Sequence, residues 1–247
     1  MTAVHKRHPD FLSDQRQFFD QLITDHWDSY ASDEWDMARR FEVKKLFDRV
    51  QPGTVLDIGC GCGFHDVEMA QYDFVDRVDA IDYSDRSIEK ANESFPHPKV
   101  RRWSADFSDL PQHPRYDLVV SFQVFEHLDD PRAYLDACRR LVSPSGTIAI
   151  CTPNWNRLDN RVRRWRGMEE TFVDPQHFNE YTPDSLKNLA AEHGLIQTTW
   201  FGYDITSLML PRINRLSYNR RIMLGYRLPR LSRVFCSLFQ LEATVEQ

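Results

Sequence analysis

The sequence predicts a doubly wound α/β domain on a mostly parallel sheet, with helices leading into it and an extension behind it. Two observations carry that reading. From residue 54 onward, short apolar runs alternate with amphipathic stretches, the pattern of strands joined by crossover helices. The first run ends in alternate glycines and later runs end in acids, at the strand ends where open α/β sheets bind their ligands.

Residues 1–50 read as an N-terminal helical cap. Phe18, Phe19, Leu22 and Ile23, then Phe41, Val43, Leu46 and Phe47, return at three- and four-residue intervals, which marks amphipathic helix. Pro52-Gly53 breaks the pattern, and Thr54–Ile58 follows as a short buried strand. A helix is expected over 64–71, a strand over 77–82, a helix over 84–94, and strands over 100–105 and 116–122. Asp130-Pro131 forms an N-cap and first turn for a helix running to Val142. Ser143-Pro-Ser-Gly146 then turns the chain into a strand over 147–151. A helix from Thr182-Pro183 to Gly194 feeds a final strand over 196–203. The core therefore spans 51–204. Within it, 152–181 fits no repeating unit and reads as a lid, and 205–247 reads as a basic amphipathic extension.

The formal charge of −6 over 247 residues argues against a generally nucleic-acid-binding surface. Five cysteines, at 60, 62, 138, 151 and 236, show no pair of zinc knuckles and fit a reducing, cytoplasmic compartment. The first ten residues lack the apolar stretch of a signal peptide, and no run of eighteen apolar residues offers a membrane span.

Gly59, Gly61 and Gly63, between a strand and a helix, let the backbone turn tightly and approach a nucleotide-like ligand. A dinucleotide fingerprint needs a small residue where Phe64 stands, and here the strand carries an acid, Asp57. Asp57, Gly59, Gly61 and Gly63 instead resemble the first motif of the class I S-adenosylmethionine-dependent methyltransferases, with Cys60 inside the loop either a cofactor contact or loop packing. The resemblance covers residues 50–202. It implies a Rossmann-like methyltransferase fold with a seven-stranded sheet and a reversed final strand, and S-adenosylmethionine as cofactor, left as S-adenosylhomocysteine.

Asp57 suits the ammonium of a cationic, phosphate-free cofactor. Asp82, at the end of the next strand, can accept the ribose hydroxyls. Ala105-Asp106-Phe107 is similar to the family's adenine motif, which implies Asp106 on the exocyclic amine and Phe107 or Tyr83 on the ring. Ser121-Phe-Gln-Val-Phe-Glu-His-Leu128 resembles the branch that includes ubiquinone-biosynthesis O-methyltransferases, with Phe122 and Gln123 beside the methionine part. Trp27 and Tyr30 resemble an aromatic pair that covers the cofactor. Structural readings stand beside these: Asp82 and Asp106 as helix caps, Trp27 and Tyr30 as core.

Methyl transfer is an in-line displacement that needs positioning and, for a hydroxyl acceptor, a base. His127, with Glu126 beside it, is the first candidate; His177, in a lid stretch similar to lids of the same branch, is the second. Asp174, His177 and Glu180 form too irregular a set to expect a metal. Arginines 157, 161, 163, 164 and 166, with 212, 215, 220, 221, 227, 230 and 233, form either a solvated face or one that draws an anionic acceptor or an anionic membrane surface. The expected activity is methyl transfer to oxygen, less so nitrogen, of a small-molecule or lipid- or glycan-linked acceptor. RNA methylation and a cofactor-binding module without turnover are the rivals. DNA is disfavoured by the absence of a [DN]-P-P-Y motif, and oligomeric state leaves no mark in the sequence.

Overall fold

The computed structural model describes residues 5–6, 19–21, 32–111, 113 and 115–242. Strand β1 (His5–Lys6) and a helical turn at 19–21 precede helix α1 (Asp33–Phe47). The core then alternates β2 (Thr54–Ile58), α2 (Phe64–Ala70), β3 (Arg77–Asp82), α3 (Asp85–Ser94), β4 (Val100–Ser104), β5 (Tyr116–Phe122), α4 (Pro131–Leu141) and β6 (Val142–Pro153). Helix α5 (Leu158–Trp165), strand β7 (Asn179–Glu180), helix α6 (Pro183–Ala191), strand β8 (Leu195–Tyr203), helices α7 (Pro211–Asn214) and α8 (Tyr218–Arg227), and strand β9 (Val234–Leu241) complete it.

Among the described residues, the main sheet has seven strands in the order β4-β3-β2-β5-β6-β9-β8. Pairings are parallel as far as β6, and β9 runs antiparallel to both β6 and β8. Central strands carry Val, Leu and Ile because helices cover both faces; Val55, Leu56, Val78, Leu118, Val119 and Val120 are fully buried. Strand β4 lies at the edge, where Arg101 and Trp103 face solvent and discourage pairing with another chain.

Local chemistry explains most boundaries. The Ser84 side chain accepts from Ser87 N–H at the start of α3, and Asp130 accepts from Arg132 and Ala133 N–H at the start of α4. Thr182 and Ser185 form a capping box on α6, which satisfies backbone donors that the helix leaves open.

Two expectations are corrected. Strand β6 begins at Val142, because its pairing with β5 resumes at Thr147 after a bulge that absorbs residues 143–146. More consequentially, the tail is not an appendage: Val234–Leu241 inserts between β6 and β8 as the reversed strand, so β8 is not last. Phe235, Cys236, Leu238 and Phe239 are fully or almost fully buried, so the run is mostly apolar, as a strand covered on both faces requires. Helix α8 packs against β8 so closely that a Cβ on Gly225 would lie 2.6 Å from Asp204 N.

Segment 152–181 is also more ordered than an irregular lid. Arg157 is buried and donates to Glu180 Oε2 at 2.8 Å and to the Thr171 carbonyl. Asn160 donates to the carbonyls of Trp155 and Thr171 and accepts from Thr171 N–H. Arg163 pairs with Asp159, and Arg164 with Glu170. These arginines brace the segment from within, so the five do not form one free basic face.

Candidate active site

Strand order reverses at β2, which has β3 on one side and β5 on the other, and the crevice at such a switch point receives ligands in open α/β sheets. Three loops border it. The loop after β2 holds Gly59, Gly61 and Gly63 at φ 77°, 52° and 82°, a region that L side chains enter only under strain. A Cβ on Gly59 would also overlap Val124 Cγ2. Gly59 and Cys60 N–H donate to the Ile81 carbonyl at 2.7 and 2.9 Å. Gly61 N–H and Ser84 N–H donate to the two Asp82 carboxylate oxygens, each at 2.9 Å. Asp82 thus locks the glycine loop to the loop after β3.

Asp57 is 1 % exposed, and among the described residues neither carboxylate oxygen has a hydrogen-bond partner. Burial, then the carboxylates of Asp66 and Asp82, push its pKa well above the ordinary range. Beneath the loop, Asp66 and Arg102 form a buried bidentate pair with both contacts at 2.7 Å, a pair that sequence reading missed. A carboxylate in the first turn of α2 and an arginine on an edge strand were its only signals.

At the end of β4, Asp106 is exposed and caps the 3-10 turn Phe107–Asp109, accepting from Ser108 N–H at 2.8 Å. Phe107 lies edge-on to Tyr134 at 5.2 Å, and Tyr83 is half-buried beside Asp82. At the end of β5, Gln123 adopts φ 58° and its buried Nε2 has no partner among the described residues. Phe122 stacks on His65 with centroids 3.9 Å apart, and His65 Nε2 meets Glu42 at 2.6 Å. Tyr203 O–H also donates to Glu42. Sequence reading did not single out His65 or Glu42, which lie in helices without a motif. Trp27 and Tyr30 lie outside the described residues.

Past Gln123, the turn Phe125–His127 meets segment 152–181. Glu126 is fully buried and accepts from Thr152 Oγ1 at 2.9 Å through Oε2, while Oε1 has no partner among the described residues. Burial pushes its pKa up to about 7. His127 Nδ1–H donates to the Gln176 carbonyl at 3.2 Å, which leaves Nε2 with its lone pair. Burial, then the neighbouring His177, pushes the His127 pKa down to about 3, so this imidazole is neutral at physiological pH. His177 Nδ1 meets Glu180 Oε1 at 2.7 Å, and the two imidazole rings are 4.9 Å apart, edge to face. Asp174, expected beside His177 and Glu180 in the weak metal set, instead caps Gln176 N–H at 2.8 Å. The turn at 19–21 ties this cluster to the Asp82 loop: Phe19 touches His127 edge-on at 5.2 Å, and Asp20 accepts from Ser84 O–H at 2.5 Å.

A reversed strand beside a parallel sheet, with a glycine loop clamped at its switch point, defines a Rossmann-like nucleoside-cofactor domain. A methyltransferase domain model matches residues 28–197, and the chain belongs to that family, whose methyl donor is S-adenosylmethionine. It is 28% identical over 169 residues to a probable S-adenosylmethionine-dependent methyltransferase of Mycobacterium tuberculosis, an alignment covering 68% of this chain and 58% of that one. It is 29% identical to the ubiquinone biosynthesis O-methyltransferase of Bordetella avium, covering 56% and 63%. The matches thus span under two thirds of these relatives' lengths. The fold is similar to that of the N-methyltransferase NodS of Bradyrhizobium japonicum in complex with S-adenosylhomocysteine, with TM-score 0.64, 15% identity, and 93% and 100% of the chains covered. Among the described residues, no helix is long and apolar enough to cross a membrane.

Proposed function

We propose that the protein transfers a methyl group from S-adenosylmethionine to an oxygen of a small-molecule or lipid- or glycan-linked acceptor. One observation carries the reading. The loop 57–63, clamped on Asp82, and the turn that carries Glu126 and His127 follow neighbouring strands, β2 and β5, at the same end of the sheet, and His177 meets that turn from segment 152–181.

The cofactor supplies a methyl group already activated on a sulfonium, so the chain's work is placement and care of the acceptor proton. Asp57 fits such a cation, because a buried carboxylate with both oxygens unpartnered among the described residues gains most from an ammonium or its bridging water. Asp82 and Asp106 would receive the ribose and adenine, with Tyr83 and Phe107 against the ring and Gln123 and Phe122 beside the methionine part. The glycine loop gives the backbone close approach.

Oxygen is favoured because a hydroxyl must lose its proton during attack, whereas a neutral amine already carries its lone pair. The imidazole of His127 or His177, or the Glu126 carboxylate, is where that proton goes. The name of the Bordetella relative points the same way. Exposed Arg212, Arg215, Arg220, Arg227 and Arg230, among exposed Leu208, Leu210, Met223 and Leu228, favour an anionic acceptor or one held at an anionic lipid surface.

Release of S-adenosylhomocysteine, measured across hydroxylated acceptors in matched neutral and anionic forms, tests this. Turnover is expected with an anionic hydroxyl acceptor, falling about 10²–10⁴-fold in His127→Ala or His177→Ala with cofactor affinity kept. Methylation confined to amines, or unchanged turnover in both variants, would overturn the oxygen assignment.

A further inference from the structure

Arg233 stands at the start of β9, whose antiparallel course brings it to the end of the sheet where β5 and β6 finish. Its backbone is fixed on both sides: the N–H donates to the Asp204 carbonyl at 2.7 Å, and the carbonyl accepts from Asn154 N–H at 2.8 Å. Its side chain is held far more loosely. The guanidinium is 36 % exposed and lies 3.8 Å from the Asp204 carboxylate, beyond hydrogen-bonding reach. Burial pushes the Asp204 pKa up, which weakens that carboxylate's hold on the charge. Arg157 is the contrast, since it donates to Glu180 at 2.8 Å.

The register of the sheet relates this arginine to the groups that receive the acceptor proton. Thr152, which donates to Glu126, faces Phe235 across the β6–β9 pair. Arg233 lies two positions before Phe235, so alternation places it on the same face as Thr152. Strands about 4.8 Å apart with about 3.3 Å per residue put the Arg233 and Thr152 backbones about 8 Å from each other. An anion on Arg233 therefore lies on the order of 10 Å from Glu126, His127 and His177. Burial, and in smaller part the like charge of Arg233, lower the pKa of Arg157. An anion beside Arg233 relieves that repulsion.

We propose that Arg233 is the specificity-determining residue of an anion subsite: it receives a carboxylate or phosphate of the acceptor while the acceptor hydroxyl lies against Glu126, His127 and His177. The inference rests on the oxygen-transfer reading and names the group that selects an anionic acceptor over a neutral one. A guanidinium presents paired N–H donors that match two oxygens of either anion. Exchanging a loose contact with Asp204 for such a ligand gives up no hydrogen bond. The anion keeps its charge throughout transfer, so Arg233 acts on acceptor binding and placement and takes no part in bond making. Exposed arginines on α7 and α8 draw anions toward this end of the chain at long range, and Arg233 holds one.

Calorimetric titration of the full chain, saturated with S-adenosylhomocysteine, tests the subsite with two matched pairs of probes. 4-Hydroxycinnamate is compared with its methyl ester, and 4-hydroxyphenyl phosphate with hydroquinone, so that the two pairs separate a carboxylate from a phosphate ligand. The anionic member of at least one pair should bind roughly tenfold or more tighter than its neutral partner. Arg233→Gln should abolish that preference while circular dichroism, S-adenosylhomocysteine affinity and neutral-probe affinity stay as in the wild type, and Arg233→Lys should restore part of it. No preference in either pair for the wild type would overturn the proposal, as would the same preference in folded Arg233→Gln. Equal weakening of charged and neutral probes marks a structural role and also sinks it. A preference without S-adenosylhomocysteine release from any hydroxylated acceptor leaves the subsite standing and removes the oxygen-transfer reading; release from neutral hydroxyl acceptors without a preference does the reverse.

Discussion

The loop 57–63 and the segment 152–181 border one crevice but are held in different ways. The loop is fixed by backbone amides donating to the Ile81 carbonyl and the Asp82 carboxylate. Every partner lies within twenty-five residues, on two neighbouring strand ends. The segment is fixed by buried side chains, Arg157 on Glu180 and Glu180 on His177, and reaches the turn after β5 only through the tertiary fold. The cofactor side of the crevice is therefore a property of strand, turn and helix, while the acceptor side is a property of long-range packing.

Substitutions that strike one side alone test this division. Arg157→Ala leaves Glu180 buried without its cation and is expected to cost about 3–5 kcal/mol, read from the urea midpoint. Turnover should fall with it while S-adenosylmethionine affinity holds. Arg102→Ala strips Asp66 of its buried partner at similar cost but should take cofactor affinity with it, since Arg102 Nε would lie 3.0 Å from a Cβ on Gly63. Equal loss of cofactor affinity in both variants would break the comparison.

Asp57→Asn separates stability from function. An acid whose pKa is raised by folding binds more protons in the native than in the unfolded state, so its share of stability is present at low pH and lost as pH rises through the raised value. The amide removes that loss. Thermal melts should show the variant more stable than wild type at pH 7, with the gain vanishing below the ordinary aspartate range. Calorimetry should show cofactor affinity reduced roughly ten- to a hundredfold, the worth of a charge-assisted hydrogen bond.

Gly59→Ala is expected to cost about 1–2 kcal/mol for its left-handed backbone and to disturb Val124, lowering cofactor affinity. The smallest effect belongs to Thr182→Ala, which removes the α6 capping box for about 1 kcal/mol and should leave turnover and cofactor affinity unchanged in the folded protein.

The same division explains what the sequence made legible. Strands β2, β3 and β5, the caps at Ser84 and Asp130, and the loop glycines are written in contiguous residues, and each has a local physical signature. Strand β9 was hidden because Val234–Leu241 places apolar residues on both faces, interrupted by Ser237 and Gln240, and follows an arginine-rich stretch, so neither alternation nor a turn signal set it apart. The convergence of Glu126, His127 and His177, and the Asp66–Arg102 and Glu42–His65 pairs, join residues 23 to 51 positions apart. No spacing rule encodes such contacts.

The most direct test is calorimetric titration of S-adenosylmethionine into wild type, Gly61→Val and His177→Ala. Saturable heat from wild type and His177→Ala, lost in folded Gly61→Val, is the expected result. No saturable heat from the wild type, or equal binding by Gly61→Val, would contradict a methyl donor held by the loop from Asp57 to Gly63.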